Sequence, residues 1–157
     1  MKWYAGIGSR ATPPDVQWVM TDLARRLAAR GWGLRSGGAR GADLAFEAGA
    51  ARVEIFGVDD VTPAALELAK KHHPAWRRCG IYVRRLMARN AQILLGRRLD
   101  DPVRFVVCWT PDETTGGTAH ALKIARSREI PVRNLADPEV RARVEEWLRA
   151  TPPPRVR

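Results

Sequence analysis

Apolar and polar positions along the chain alternate between two periods. Short apolar runs at 3–8, 32–36, 52–57, 103–110 and 130–135 have the length of strands. Between them, apolar residues return every three or four positions. In 13–31, Val16, Val19, Met20, Leu23 and Leu27 share one helical face, Pro13 and Pro14 suit a first turn, and Gly31 ends the helix. Helices are also predicted over 41–50, 63–73, 81–99, 115–129 and 137–150, the last with Val140, Val144, Trp147 and Leu148 turned inward. The run 103–110 is apolar at nearly every position, as a parallel strand buried on both faces requires. Strands alternating with helices predict an α/β fold: a Rossmann-like three-layer sandwich whose mostly parallel sheet is flanked by helices. A single domain over 3–150 accounts for the pattern, and 151–157, TPPPRVR, is expected to be a flexible tail.

Sheets of this kind bind ligands beyond the carboxyl ends of their strands, which directs attention to the loops there. Three of these loops are small, polar and glycine-bearing: GIGSR (6–10), SGGARGAD (36–43) and TPDETTGGT (110–118). Glycine lets an anion approach backbone N–H groups, and a helix start adds unpaired donors and a positive dipole end. The candidate ligand-binding residues are therefore Gly8, Ser9 and Arg10; Ser36, Gly37, Gly38, Gly41 and Asp43; and Thr110, Gly116, Gly117 and Thr118. Asp43, in the first turn of its helix, either caps it or holds a ribose hydroxyl, and Glu47 shares its face one turn on. Neither the Walker loop nor the GxGxxG dinucleotide fingerprint is present. On 81–99, Val83, Leu86, Met87, Asn90 and Leu94 form one stripe, so Asn90 lies on the apolar face. A buried amide must be hydrogen-bonded, so Asn90 either ties down a loop or faces the ligand. Its neighbour Arg89, off the stripe, is a further ligand candidate at the site's edge.

Composition narrows the function. Apolar residues make up 45% and charged residues 28% of the 157, as in a soluble globular protein, and no apolar run is long enough to span a bilayer, so no membrane partner is expected. The start, MKWYAGIGSR, has no signal-peptide core, and two cysteines cannot build a disulfide framework; reduced thiols and a cytoplasmic location follow as expectations. The formal charge is +10, and only four of the 27 basic residues are lysine. The stretch 77–104 holds Arg77, Arg78, Arg84, Arg85, Arg89, Arg97, Arg98 and Arg104 against Asp100 and Asp101. Two readings compete: an arginine-rich genome composition, or a basic face for a polyanion, with Arg77, Arg78, Arg84, Arg85 and Arg97 as nucleic-acid-binding residues. Trp76 among those arginines either stacks a base or covers a loop. Trp3, Trp32, Trp109 and Trp147 read as core packing. His72 and His73 are adjacent and diverge on any regular element, so no metal site and no cofactor are expected. His120, beside the third loop, is placed to hydrogen-bond a ligand.

The order of motifs GIGSR, LRSGGARGADLAFEAGA, ARNAQIL and VVCWTPDETTGGTAHALKIARSREIPVRNL resembles the SLOG superfamily. That group includes the DNA-processing protein DprA/Smf and the LOG proteins, and the chain looks closest to short DprA-like Rossmann proteins of phage and mobile elements. The resemblance covers roughly 3–135. It implies a nucleotide or phosphate-bearing small molecule as ligand, single-stranded DNA as a candidate partner, and a homodimer through the 76–98 region as another. The DprA motifs fall on Gly8, Ser9 and Arg10, on Ser36, Gly37, Gly38, Gly41 and Asp43, on Arg89 and Asn90, and on Gly116, Gly117 and Thr118. Glu47 stands where DprA has a histidine, and Ala91 replaces the second arginine of its RNR motif. LOG proteins imply an alternative, hydrolysis of the N-glycosidic bond of nucleoside monophosphates, with an arginine placed here on Arg89. The glutamate of their PGGxGTxxE loop falls on Ala121, and losing such a proton-transfer group costs roughly 10²–10⁴ in rate. Only Glu47, Asp43 or Glu113 could substitute, with Glu47 the weak catalytic candidate, so binding is favoured over catalysis. A third use in the superfamily is sensing of a nucleotide-derived signal.

Overall fold

The computed structural model describes residues 1–153 and Arg155; Pro154, Val156 and Arg157 of the expected tail lie outside the described residues. Five strands, β1 (Lys2–Gly8), β2 (Trp32–Ser36), β3 (Val53–Ile55), β4 (Val106–Trp109) and β5 (Val132–Asn134), form one all-parallel sheet in the order β3-β2-β1-β4-β5. Ala5 of β1 lies opposite Arg35 on one side and Val106 on the other. The helices are α1 (Pro14–Ala29), α2 (Ala42–Gly49), α3 (Pro63–Lys71), α4 (Ile81–Leu95), α5 (Gly116–Ser127) and α6 (Pro138–Ala150). The expected Rossmann-like three-layer sandwich is present. Strand order reverses between β1 and β4, so the crevice at their carboxyl ends is the topological switch point where such sheets take ligands.

Two apolar layers hold the helices to the sheet. On one face, Val16, Met20, Leu23 and Leu27 of α1, Phe46 of α2 and Leu148 of α6 cover Tyr4, Leu34 and Val107. Tyr4 stacks on Phe105 with ring centroids 5.5 Å apart and meets Phe46 edge-on. On the other face, Ile93, Leu94 and Leu95 of α4 and Leu122 and Ile124 of α5 pack on Ala5, Ile7, Val106 and Cys108. The four tryptophans assigned to packing are all partly buried against these layers. Helix α3 lies on α4 through Ala65, Ala69, Met87 and Ala88.

Three local outcomes differ from the pattern. The helix expected over 81–99 stops at Leu95, because Gly96 takes φ +80 and the chain turns back, with Val103 N–H donating to Leu94 O and Asp101 N–H to Leu95 O. The turn is held by Arg35, 2% exposed, whose guanidinium binds the Asp101 carboxylate at 2.6 Å and its carbonyl, and lies 5.2 Å over the Trp3 ring. Second, of the four inward residues of α6 only Leu148 is buried; Val140, Val144 and Trp147 are half-buried. Third, Thr151, the first residue past α6, is buried, and Arg26 of α1 donates to the carbonyls of Leu148 and Thr151, while Pro152, Pro153 and Arg155 are exposed.

Candidate functional site

The first two loops are built against each other. Ser9 N–H donates to Trp109 O at 3.0 Å, which anchors the first loop to β4. Ser9 O then accepts from Thr12 N–H, from the Thr12 hydroxyl at 2.6 Å and from Ala42 N–H at the start of α2. Gly41, at φ +86, precedes that helix; a Cβ there would stand 2.6 Å from Ser9 O and 2.8 Å from Arg10 Cα. A Cβ on Gly8 would stand 2.7 Å from that of Ala42 and 2.8 Å from Trp109 O. These two glycines thus let backbone meet backbone between loops.

Asp43 closes the second loop from within. It is 4% exposed, and its carboxylate accepts from Ala39 N–H at 3.1 Å. Arg89 lies across from it and donates to Gly37 O at 3.3 Å; a Cβ on Gly37 would strike both side chains. Burial pushes the Asp43 carboxyl up to about 6, against the opposing pull of Ala39 N–H and the Arg89 charge. Burial likewise lowers the pKa of Arg89, which Asp43 counteracts.

The third loop is organised differently. Asp112 accepts from Thr114 N–H and from the hydroxyls of Thr114 and Thr115, which hold its carboxyl down at about 2. Thr110 is buried, donating its hydroxyl to Asp112 O and its N–H to Asn134. Helix α5 then begins at Gly116, φ +91, with no side-chain cap on its first N–H groups. Among the described residues, nothing lies within 4 Å of a Cβ built on Gly116. Asn90 reaches across from α4 and donates to Gly117 O at 3.1 Å, while its Oδ1 accepts from Arg89 at 3.3 Å. The buried amide on the apolar stripe therefore clamps the third loop and orients Arg89.

Between these elements is a cavity of about 700 Å³. Gly8, Ser9, Arg10, Asp43, Arg89, Asn90, Thr110, Gly116, Gly117 and Thr118 all line it. Ser36, Gly37, Gly38 and Gly41 do not: Ser36 is fully buried, Gly38 sits against Ile55, and Gly41 is under the first loop. Glu47 is half-buried near Gly38 and also off the lining. Ala121 lines the cavity at the position where the LOG pattern has its glutamate. His120 does not face it; Nε2 donates to Ala69 O at 3.0 Å, on the α3 side. The lining also has an apolar part, Tyr82, Val83, Leu86 and Met87 of α4. Tyr82 escaped sequence reasoning because it lies off the Val83–Leu94 stripe. The available signal was Ile81-Tyr82-Val83, three consecutive apolar residues opening a helix that buries one face.

The arginines of 77–104 do not form one face. Arg77, Arg78, Arg84 and Arg85 gather at the amino end of α4 and do not line the cavity. Arg97, Arg98 and Arg104 lie beyond its other end, about 20 Å away along a 15-residue helix. Clustering in sequence does not survive the length of the helix. Arg84 is committed locally, donating to Trp76 O at 3.0 Å and lying 5.3 Å over its ring, while Arg85 faces Asp59 at 3.7 Å. Trp76 packs against the α3–α4 layer, the loop-covering role. Among the described residues, no helix is long and apolar enough to cross a membrane, and no group of three His, Cys, Asp or Glu is placed to hold a metal ion.

No family model matches the chain, and no curated protein matches it. Among solved structures, it is similar to DNA processing protein A from Helicobacter pylori, in a structure describing that protein's single-stranded DNA binding mode. The identity is 18%, the TM-score 0.61, and the match covers 96% of this chain and 82% of the other. The chain thus has a fold like that of DNA processing protein A.

Proposed function

We propose that this chain binds nucleotide phosphates in the cavity at the carboxyl edge of its sheet, and single-stranded DNA through the same cavity, as a DprA-like protein of the SLOG superfamily. The observation that carries this reading is convergence. Arg10, Arg89 and the uncapped start of α5 face one 700 Å³ space at the topological switch point. Unpaired helix N–H groups and guanidinium forks are the donors that phosphate takes. The formal charge of +10 and the fold shared with a single-stranded-DNA-binding protein support the same polyanion.

Binding without hydrolysis is the favoured form. Ala121 supplies no proton-transfer group, Asp112 stays ionised, and His120 faces Ala69. One observation favours the N-glycosidase alternative: Asp43 lines the cavity with a carboxyl that titrates at about 6, in the range useful to a general acid. Base release from nucleoside monophosphates that disappears in Asp43→Asn would establish it.

The binding reading is tested by fluorescence anisotropy of a labelled oligonucleotide at several salt concentrations. The log–log slope should steepen by about 0.7 per phosphate contacted. Arg10→Ala removes an exposed cavity arginine and should weaken binding about tenfold while leaving Tm unchanged. Binding that is absent, or unaffected by Arg10→Ala, would contradict the proposal.

A further inference from the structure

The cavity lining is not made of phosphate donors alone: α4 adds apolar side chains to it. Helix α4 opens with Ile81, Tyr82 and Val83, which are 71%, 58% and 37% exposed. The buried face of the helix starts only at Met87, so this first turn is not needed to hold α4 on the sheet. Tyr82, Val83 and Leu86 instead line the cavity that Gly8, Arg10 and the start of α5 also line. Tyr82 forms no aromatic pair and accepts no cation over its ring among the described residues, so its face is open. Arg89, two helical turns on, shares its face of α4 and lines the same cavity.

We infer that Tyr82 is a stacking platform for one unpaired nucleobase, with the phosphate of the same nucleotide on the Arg10–α5 wall. This rests on the phosphate reading above and adds the part of the ligand that phosphate donors cannot recognise. A cavity of 700 Å³ lies within the range of about 300–1,000 Å³ that holds one small ligand. Every base presents a π-face, so stacking binds bases without choosing strongly among them. A base inside a duplex has both faces covered, so the platform selects single strands or free nucleotides. A sugar phosphate lacking the base fills the donor wall and leaves the apolar wall wet.

Calorimetric titration with a nucleoside 5′-monophosphate and with ribose 5-phosphate separates the two parts of the lining. Wild type should bind the nucleotide at least tenfold tighter than the sugar phosphate. Tyr82→Phe should keep that preference. Tyr82→Ala should reduce nucleotide affinity roughly 5- to 150-fold, the range of one base stack, and leave ribose 5-phosphate affinity unchanged. Equal affinity of wild type for the two compounds would overturn the platform and leave the phosphate reading standing. An equal loss of both compounds in Tyr82→Ala would do the same, since Tyr82 would then be supporting Arg89 only. If neither compound binds wild type, the phosphate reading fails and the platform with it.

Discussion

Gly41 and Gly116 hold matching places in the chain. Each stands at or just before the start of a helix that follows a parallel strand, and each takes a left-handed φ, +86 and +91. Their surroundings are opposite. A Cβ on Gly41 would enter the backbone of the first loop, whereas a Cβ on Gly116 would meet nothing within 4 Å among the described residues. The second loop is thus a packed joint, closed by Asp43 and Arg89, and the third is an open rim with exposed helix donors. One sequence signature, glycine between strand and helix, serves two purposes, and only the neighbour across the gap decides which. At Gly41 the missing side chain makes room for protein; at Gly116 it leaves open space at the rim of the cavity.

The contrast breaks most visibly under alanine substitution. Gly41→Ala combines backbone strain with a contact that cannot relax, since the atoms it meets are backbone. It should cost about 3 kcal/mol or more and lower Tm by roughly 10 °C in thermal unfolding. Gly116→Ala should cost only the strain of its φ, about 1–2 kcal/mol. Equal losses at the two positions would end the distinction.

The next largest effect lies in pH. Asp43 holds its proton up to about 6 in the fold, against a reference of 3.8, so the folded state binds more protons across that window. Stability from this group therefore falls as pH rises from about 4 to 6 and is level above it. In urea unfolding at pH 4 and pH 7.5, Asp43→Asn should gain on wild type by about 2–3 kcal/mol between the two conditions. Oligonucleotide binding should also weaken in wild type as pH rises through 6, when a carboxylate appears in the anion cavity, and should do so less in the variant.

Asn90→Ala tests the clamp on the open loop. It strands Gly117 O and releases Arg89, for an expected loss of about 1–2 kcal/mol, with faster amide hydrogen exchange at the start of α5 and unchanged exchange at Ala42. The smallest effect is expected at Arg97. It is exposed and lies at the far end of α4, so Arg97→Ala should change both Tm and oligonucleotide affinity within error, about 0.5 kcal/mol or less.

The sheet was legible because buried parallel strands and one-sided helices follow different periods; four of the five strands fall inside a run identified by apolar content, and β1 exceeds its run only by Lys2. The site was legible as three loops, because strands that share a direction bring their carboxyl ends to one edge. Partners across gaps were not legible. Nothing in SGGARGAD distinguishes Gly41, pressed on Ser9, from a glycine facing solvent. The end of α4 is not marked in the sequence beyond a single glycine, because the turn there is held by Arg35 and Asp101, 66 residues apart. The arginine cluster divides for a related reason: a 15-residue helix carries neighbours in sequence to opposite edges of the sheet. Tyr82 lay off the stripe that defines the buried face, and an off-stripe aromatic has no periodic signal.

The most direct measurement is an amide chemical-shift titration of the uniformly labelled protein with a short single-stranded oligonucleotide. The largest perturbations should fall at Ser9, Arg10, Gly116, Gly117 and Thr118, with Gly38 and Gly41 moving less and Arg97, Arg98 and Arg104 not at all. Perturbations centred on Arg97–Arg104, or spread evenly over the exposed arginines, would place the polyanion away from the carboxyl edge and contradict the assignment of the cavity.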